Sequence, residues 1–260
     1  MFFDLMQLLK QQWRYFLTAV MFFTRIPIHF NHFDKTDLNK ATRFFPLVGI
    51  LVGMFGALIF WLCDILLPVE VAVLLSMVAT ILLTGAFHED GLADAIDGLG
   101  GGWNKEQVLT IMVDSRIGSY GAVGLVMALL TKFEALNHQT VLLIPISMVA
   151  AHALSRLCAV LVMFTQNYVK AEGKSKPLAT QLKVIELIIA TFFGLLPMAF
   201  LTIKYLFALV PVIVVWLWFS AKIKKRIGGY TGDCLGAMQQ LTEVAFYVGL
   251  LASAAFFVNP

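Results

Sequence analysis

Charge is scarce in this chain. Of its 260 residues only 13% are Asp, Glu, Lys or Arg, 60% are hydrophobic, and mean hydropathy is +0.84. Soluble domains carry about 25% charged and about 45–50% apolar residues, so the shortage excludes an ordinary water-soluble domain and points to a polytopic membrane protein. Cysteine is scarce too. Cys63, Cys158 and Cys234 stand far apart without CxxC spacing, which gives no sign of a disulfide framework or a zinc site. The sequence has no long polar stretch for a separate soluble domain, and neither an internal repeat nor a low-complexity tract. The opening MFFDLMQLLKQQWRYF lacks a basic start followed by a clean apolar core, so it does not read as a cleavable signal peptide. The net charge is +3, with basic residues in short clusters between apolar runs. That arrangement fits topology signals and gives no nucleic-acid surface.

What is present is a series of apolar runs with a regular charge pattern between them. Residues 3–24 read as an amphipathic helix with Asp4, Gln7, Gln11, Arg14 and Thr18 on one side. Such a helix can lie on the membrane or cross it. About seven spanning helices follow, at 44–67, 69–88, 117–136, 140–164, 184–203, 205–220 and 240–258. The loop at 25–43 holds Arg25, Lys35, Lys40 and Arg43, and the next turn holds no Lys or Arg. The loop at 88–116 holds Lys105 and Arg116, that at 165–183 holds Lys170, Lys174, Lys176 and Lys183, and that at 221–239 holds Lys222, Lys224, Lys225 and Arg226. The intervening turns hold Lys132 and Lys204 alone. Basic residues thus alternate loop by loop, and the positive-inside rule assigns the rich loops to the cytoplasm. The same count favours a first helix that lies on the membrane. The fold class expected is all-α: one membrane domain over 1–260, with an interfacial helix and loop at 1–43 and a helical bundle at 44–260.

Three stretches carry chemistry. In HEDGLADAIDG (88–98), a helix sets Asp90, Asp94 and Asp97 at i, i+4 and i+7 on one face. Carboxylates so close need a cation or protonation to coexist. Oxygen-only ligands suit Mg²⁺, Mn²⁺ or Ca²⁺ rather than zinc, and Mg²⁺ commonly combines one or two carboxylates with substrate phosphates. A solvated loop at the membrane edge is the plainer reading, although ionisable groups at membrane depth are costly and usually functional. His88 and Glu89 lie off that face, and Glu89 reads as a bystander. In DSRIGSYGAVG (114–124), Arg116 can clamp a phosphate, and Asp114 can ligate metal or orient Arg116. An ion pair followed by small residues for helix packing is the alternative, and for Gly118, Gly121 and Gly124 it is the better one. In GGYTGD (228–233), Gly229 and Thr231 open a helix that can offer N–H groups to phosphate, next to Asp233. The cluster Lys222–Arg226 sets topology or binds an anionic substrate or lipid. Arg156, inside an apolar run, calls for a carboxylate partner or a polar cavity, and reads equally as structural pairing or as a substrate-binding residue.

Together with TRIP (24–27) and FPLVG (45–49), these motifs resemble those of the cobalamin synthase family along nearly the whole chain. The resemblance implies a Mg²⁺-dependent phosphoryl transfer at the bacterial inner membrane. Adenosylcobinamide-GDP would be joined to α-ribazole or α-ribazole 5′-phosphate, with release of GMP. Carried across, it implicates Asp90, Asp94, Asp97, Asp114, Arg116 and Asp233, with Arg25 and Arg43 as further substrate contacts. Partners expected are these substrates and membrane lipid, with self-association or association with other cobalamin-assembly enzymes left open. A looser likeness to CDP-alcohol phosphotransferases lacks their Ala-Arg pair, because Asp94 follows Ala93 here. A cation-coupled transporter is the competing class, and it would place its carboxylates near mid-membrane.

Overall fold

In a computed structural model, residues 2–29, 37–169 and 182–258 are described. Lys35, Lys170, Lys174 and Lys176 of the basic loops lie outside them, as does the side chain of Asp4. The described residues form helices joined by short turns, with one isolated bridge pairing Tyr168 and Tyr230. The all-α expectation holds.

The helices are α1 (Phe2–Phe23), α2 (Asp37–Ala41), α3 (Phe45–Asp64), α4 (Val69–Thr84), α5 (Phe87–Gly101), α6 (Lys105–Val113), α7 (Ser119–Asn137), α8 (Leu143–Thr165), α9 (Val184–Leu195), α10 (Leu209–Ile227) and α11 (Gly232–Val258). Short 3₁₀ turns at Thr42–Phe44, Leu196–Phe200 and Ile203–Ala208 extend α3, α9 and α10.

Among the described residues, four helical stretches are long and apolar enough to cross a membrane: Asp37–Asp64, Ser119–Asn137, Leu143–Thr165 and Ile203–Ile227. Val69–Thr84 and Phe87–Gly101 meet the test only together, bent by 87°. The expected spans at 184–203 and 240–258 correspond to α9 with its 3₁₀ extension and to α11. The first is short at 12 residues before its 3₁₀ turn, and the second carries Gln239, Gln240 and Glu243 in its first half. The polarity of α11 is turned inward, as the burial of those three residues shows. Helix α1 is not among the crossing stretches. Its second half docks through Tyr15, Ala19, Val20 and Phe23, while Met6, Leu8, Leu9 and Trp13 stay exposed.

At the centre runs α8, buried along most of its length. It meets α3 closely because α3 carries glycines on that side. A Cβ at Gly49 would fall 2.2 Å from the His152 carbonyl oxygen, and one at Gly53 would fall 2.6 Å from the Val149 Cα. Small residues allow backbones to approach where lipid supplies no hydrophobic drive. The exposed Leu, Val, Ile, Met and Trp side chains of α3, α4, α7 and α10 form the outer surface.

Candidate active site

The acidic motif does not continue the preceding apolar helix. Gly85 (φ 68°) and Ala86 (φ 57°) both adopt the left-handed conformation, and the chain turns through 87° between α4 and α5. For alanine that conformation is unfavourable, so the surroundings must hold it. The TRIP segment supplies a clamp. Arg25 donates its backbone N–H to the Leu83 carbonyl at 2.8 Å, and its side chain lies over Gly85, where a Cβ would come 2.5 Å from Arg25 Nε. Thus Arg25 sits at the turn that launches α5.

Helix α5 separates its acids by environment. Asp90 is exposed, Asp94 is half-buried and Asp97 is buried. Asp97 accepts hydrogen bonds from the backbone N–H of Gly118 at 2.7 Å and of Gly121 at 2.8 Å. It therefore caps the N-terminus of α7, where the first N–H groups lack intrahelical partners. The two glycines follow from this contact, since a Cβ at either would come within 2.5 Å of an Asp97 carboxylate oxygen. Gly124 faces Ile96 instead, which is helix packing of the kind expected.

Through Asp97 the DSRIG segment is tied to α5. Just before that tie, Arg116 and Asp114 form a two-pronged pair, with Nε at 3.1 Å and one terminal nitrogen at 2.7 Å from the carboxylate. Arg116 is largely exposed, with 88% of its side chain accessible. The guanidinium holds the Asp114 carboxyl down at about 2. Of the two roles expected for Asp114, the pairing with Arg116 is the one with a contact here.

The third motif packs on the other side of α5. Gly228 (φ 84°) ends α10, and Gly229 passes so close to Asn167 that a Cβ would fall 2.1 Å from its carbonyl oxygen. Tyr230 bonds through its backbone to Asn167 and Val169. Thr231 Oγ1 accepts from the Cys234 N–H at 3.3 Å and so caps α11. Asp233 follows in the first turn, half-buried. Here α5 and α11 nearly touch: a Cβ at Gly91 would lie 3.1 Å from the Asp233 carbonyl oxygen, and one at Gly236 would lie 3.2 Å from that of His88. Arg226 fastens the far end of α5 by donating to the carbonyls of Leu99, at 3.1 Å, and Gly102. In that cluster Arg226 binds a helix C-terminus of this chain.

A model described as cobalamin-5-phosphate synthase matches residues 15–251, a range that holds all of these motifs. The chain belongs to the cobalamin-5-phosphate synthase family. It is 45% identical over 254 residues to the adenosylcobinamide-GDP ribazoletransferase of Ralstonia pickettii (strain 12J), covering 95% of this chain and 98% of that protein. It is 45% identical over 252 residues to the protein of the same name from Shewanella frigidimarina (strain NCIMB 400), covering 93% and 95%. No solved structure matches the chain.

In this cobalamin synthase family member, the remaining expected residues are placed apart. Arg43 is buried, bonded to Glu186 at 2.6 Å and to Gln12 at 3.0 Å, and lies over the Tyr15 ring. Those contacts join α1 to α9. Arg156 is buried beside His152, donating to its carbonyl at 3.0 Å, and lies over Phe23. Of the two readings for Arg156, internal pairing is the one its contacts match.

Sequence reasoning missed a polar core. Lys132 of α7 pairs with Glu243 of α11, and Glu243 also approaches His152 Nδ1 at 3.3 Å. Glu89, off the aspartate face, is buried and accepts from Gln240 Nε2 at 2.9 Å. The signal was available: Glu243 falls inside the span expected at 240–258.

Among the described residues, no three His, Cys, Asp or Glu side chains converge as a ready-made metal cluster. Asp97 is engaged in capping and Asp114 in its ion pair. Asp90 and Asp94 stand one helical turn apart on α5, and the backbone of Asp233 abuts Gly91 across the α5–α11 contact. Mg²⁺ needs few protein carboxylates when substrate phosphates and water complete its octahedron.

Proposed function

We propose that this chain joins adenosylcobinamide-GDP to α-ribazole or α-ribazole 5′-phosphate and releases GMP, at the cytoplasmic face of a bacterial inner membrane. The observation that supports this reading most directly is the joining of the three motifs around α5. Asp97 holds Gly118 of the DSRIG segment, and Gly91 abuts Asp233 of GGYTGD. The names of the relatives supply the substrates.

Phosphoryl transfer relies chiefly on positioning and on stabilising charge. Asp90 and Asp94, with Asp233, would hold Mg²⁺. When bound, the ion neutralises the diphosphate and polarises the phosphorus under attack. A ribose hydroxyl of the ribazole attacks that phosphorus, and its proton passes to an aspartate of the α5 face. The P–O bond to GMP breaks, and Arg116, steadied by Asp114, receives the charge that moves onto the leaving phosphate.

The test is direct. The purified full chain in lipid, given adenosylcobinamide-GDP, α-ribazole and Mg²⁺, is expected to release GMP and form the cobamide. Folded protein that releases no GMP overturns the reading. Orientation is tested with Ser115→Cys in a Cys63→Ser background, because Cys158 and Cys234 are buried. A membrane-impermeant maleimide is expected to label inside-out vesicles and to spare intact spheroplasts.

A further inference from the structure

We propose that the Glu89–Gln240 hydrogen bond, backed by the Glu243 network, is a register lock that sets Asp90 and Asp94 against Asp233. The inference rests on the acidic-face reading above, and it assigns positioning roles to residues outside that face.

The contacts show how the lock is built. Gly91 of α5 meets Asp233 and Gly236 of α11. Two residues earlier on α5, Glu89 meets Gln240, farther along α11. The two helices therefore cross in opposite directions. The glycine contact is smooth and has no side chain to index it. Glu89 and Gln240 do index it, because sliding the helices would leave two polar groups buried without each other. Glu89 is 7% exposed and Gln240 3%, so water cannot replace the lost partner.

The register of α11 is fixed in turn by its next turns. Gln239 donates to Ser155 of α8 at 3.0 Å, and Glu243 pairs with Lys132 of α7 and approaches His152 of α8. Buried polar pairs contribute little net stability compared with apolar packing, and their best-attested use is to select one register. A slip of one helical turn would carry Asp233 about 5.4 Å along α5, which parts it from Gly91.

The test compares variants in the full chain reconstituted in lipid. Glu89→Leu/Gln240→Leu replaces both partners by apolar groups, which can be nearly neutral for stability. It is expected to melt within a few degrees of the parent, to lose affinity for Mn²⁺ titrated by EPR without substrate, and to lose about 10- to 100-fold in kcat with little change in KM. Glu89→Gln keeps an acceptor for Gln240 and is expected to restore both readouts. If the double variant retains parental Mn²⁺ affinity and kcat, the lock is overturned. If Glu89→Gln fails as badly as the double variant, the carboxylate charge matters rather than the hydrogen bond, and the lock is again overturned. Asp90→Asn separates this from the underlying reading: unchanged Mn²⁺ affinity and turnover there would remove the acidic-face site, and the lock with it.

Discussion

Asp90 and Asp97 lie on one helix and have different surroundings. Asp97 receives two backbone N–H groups of α7, whereas Asp90 is exposed. Their variants should therefore fail in different ways. Asp97→Ala removes a helix cap and is expected to lose about 1–2 kcal/mol of stability, read as a lower midpoint in denaturant. Asp90→Asn is expected to keep the parental midpoint and lose about 100-fold or more in turnover. Equal midpoints for the two would contradict the division. Asp114 adds a pH expectation. Its carboxyl titrates near 3.8 when free and at about 2 here. A depressed value means that the pair's contribution is fully present above about 3.8 and is lost as pH falls towards about 2. Turnover between pH 5 and 9 should show no step that disappears in Asp114→Asn. The i, i+4, i+7 spacing made the acidic face legible, yet it could not separate Asp97 from the others. Its partners lie 21 and 24 residues away, and only the tertiary contact shows them.

At the scale of elements, α5 is the piece that the others hold. It is launched by the turn at Gly85–Ala86, tied to α7 through Asp97, crossed by α11 at Gly91 and fastened at its end by Arg226. Local pattern suggested a helix over these residues, but not the 87° turn before it. Nothing in the Gly-Ala pair compels both to be left-handed; the clamp from Arg25 does that from elsewhere in the chain. The glycines divide by what they touch. Gly49→Ala would drive a Cβ to 2.2 Å from the His152 backbone oxygen at the centre of the bundle. Overpacking of this kind costs about 1–3 kcal/mol or more, so poor yield and a lower melting temperature are expected. Gly91→Ala meets Asp233 at 3.1 Å, which a shift of a few tenths of an ångström relieves. Its melting temperature should stay close to the parent while turnover falls several-fold. A Gly91→Ala enzyme with full turnover would show that the α5–α11 spacing does not govern the chemistry.

At the scale of the whole molecule, buried charges among the described residues meet across helices. Lys132, Glu243, His152 and Arg156 come from α7, α8 and α11, and all four are buried. Hydropathy found the apolar helices but averaged these residues away, because one charge in a window of eighteen barely lowers its mean. Their pairing was not legible, since Lys132 and Glu243 stand 111 positions apart (243 minus 132). The cost of a lone charge in such a place gives the sharpest test. Glu243→Ala leaves Lys132 without its carboxylate, and removing one partner of a buried pair costs about 3–5 kcal/mol. Since a typical domain has only about 5–15 kcal/mol in hand, the expected result is a chain that extracts from membranes with a much lower melting temperature. Lys132→Met/Glu243→Leu removes both charges and should recover most of that temperature, because neither charge is then stranded. The comparison also separates stability from register. If the double variant melts like the parent and still loses turnover, the pair serves alignment of α11; if it recovers both, the pair serves only to neutralise itself.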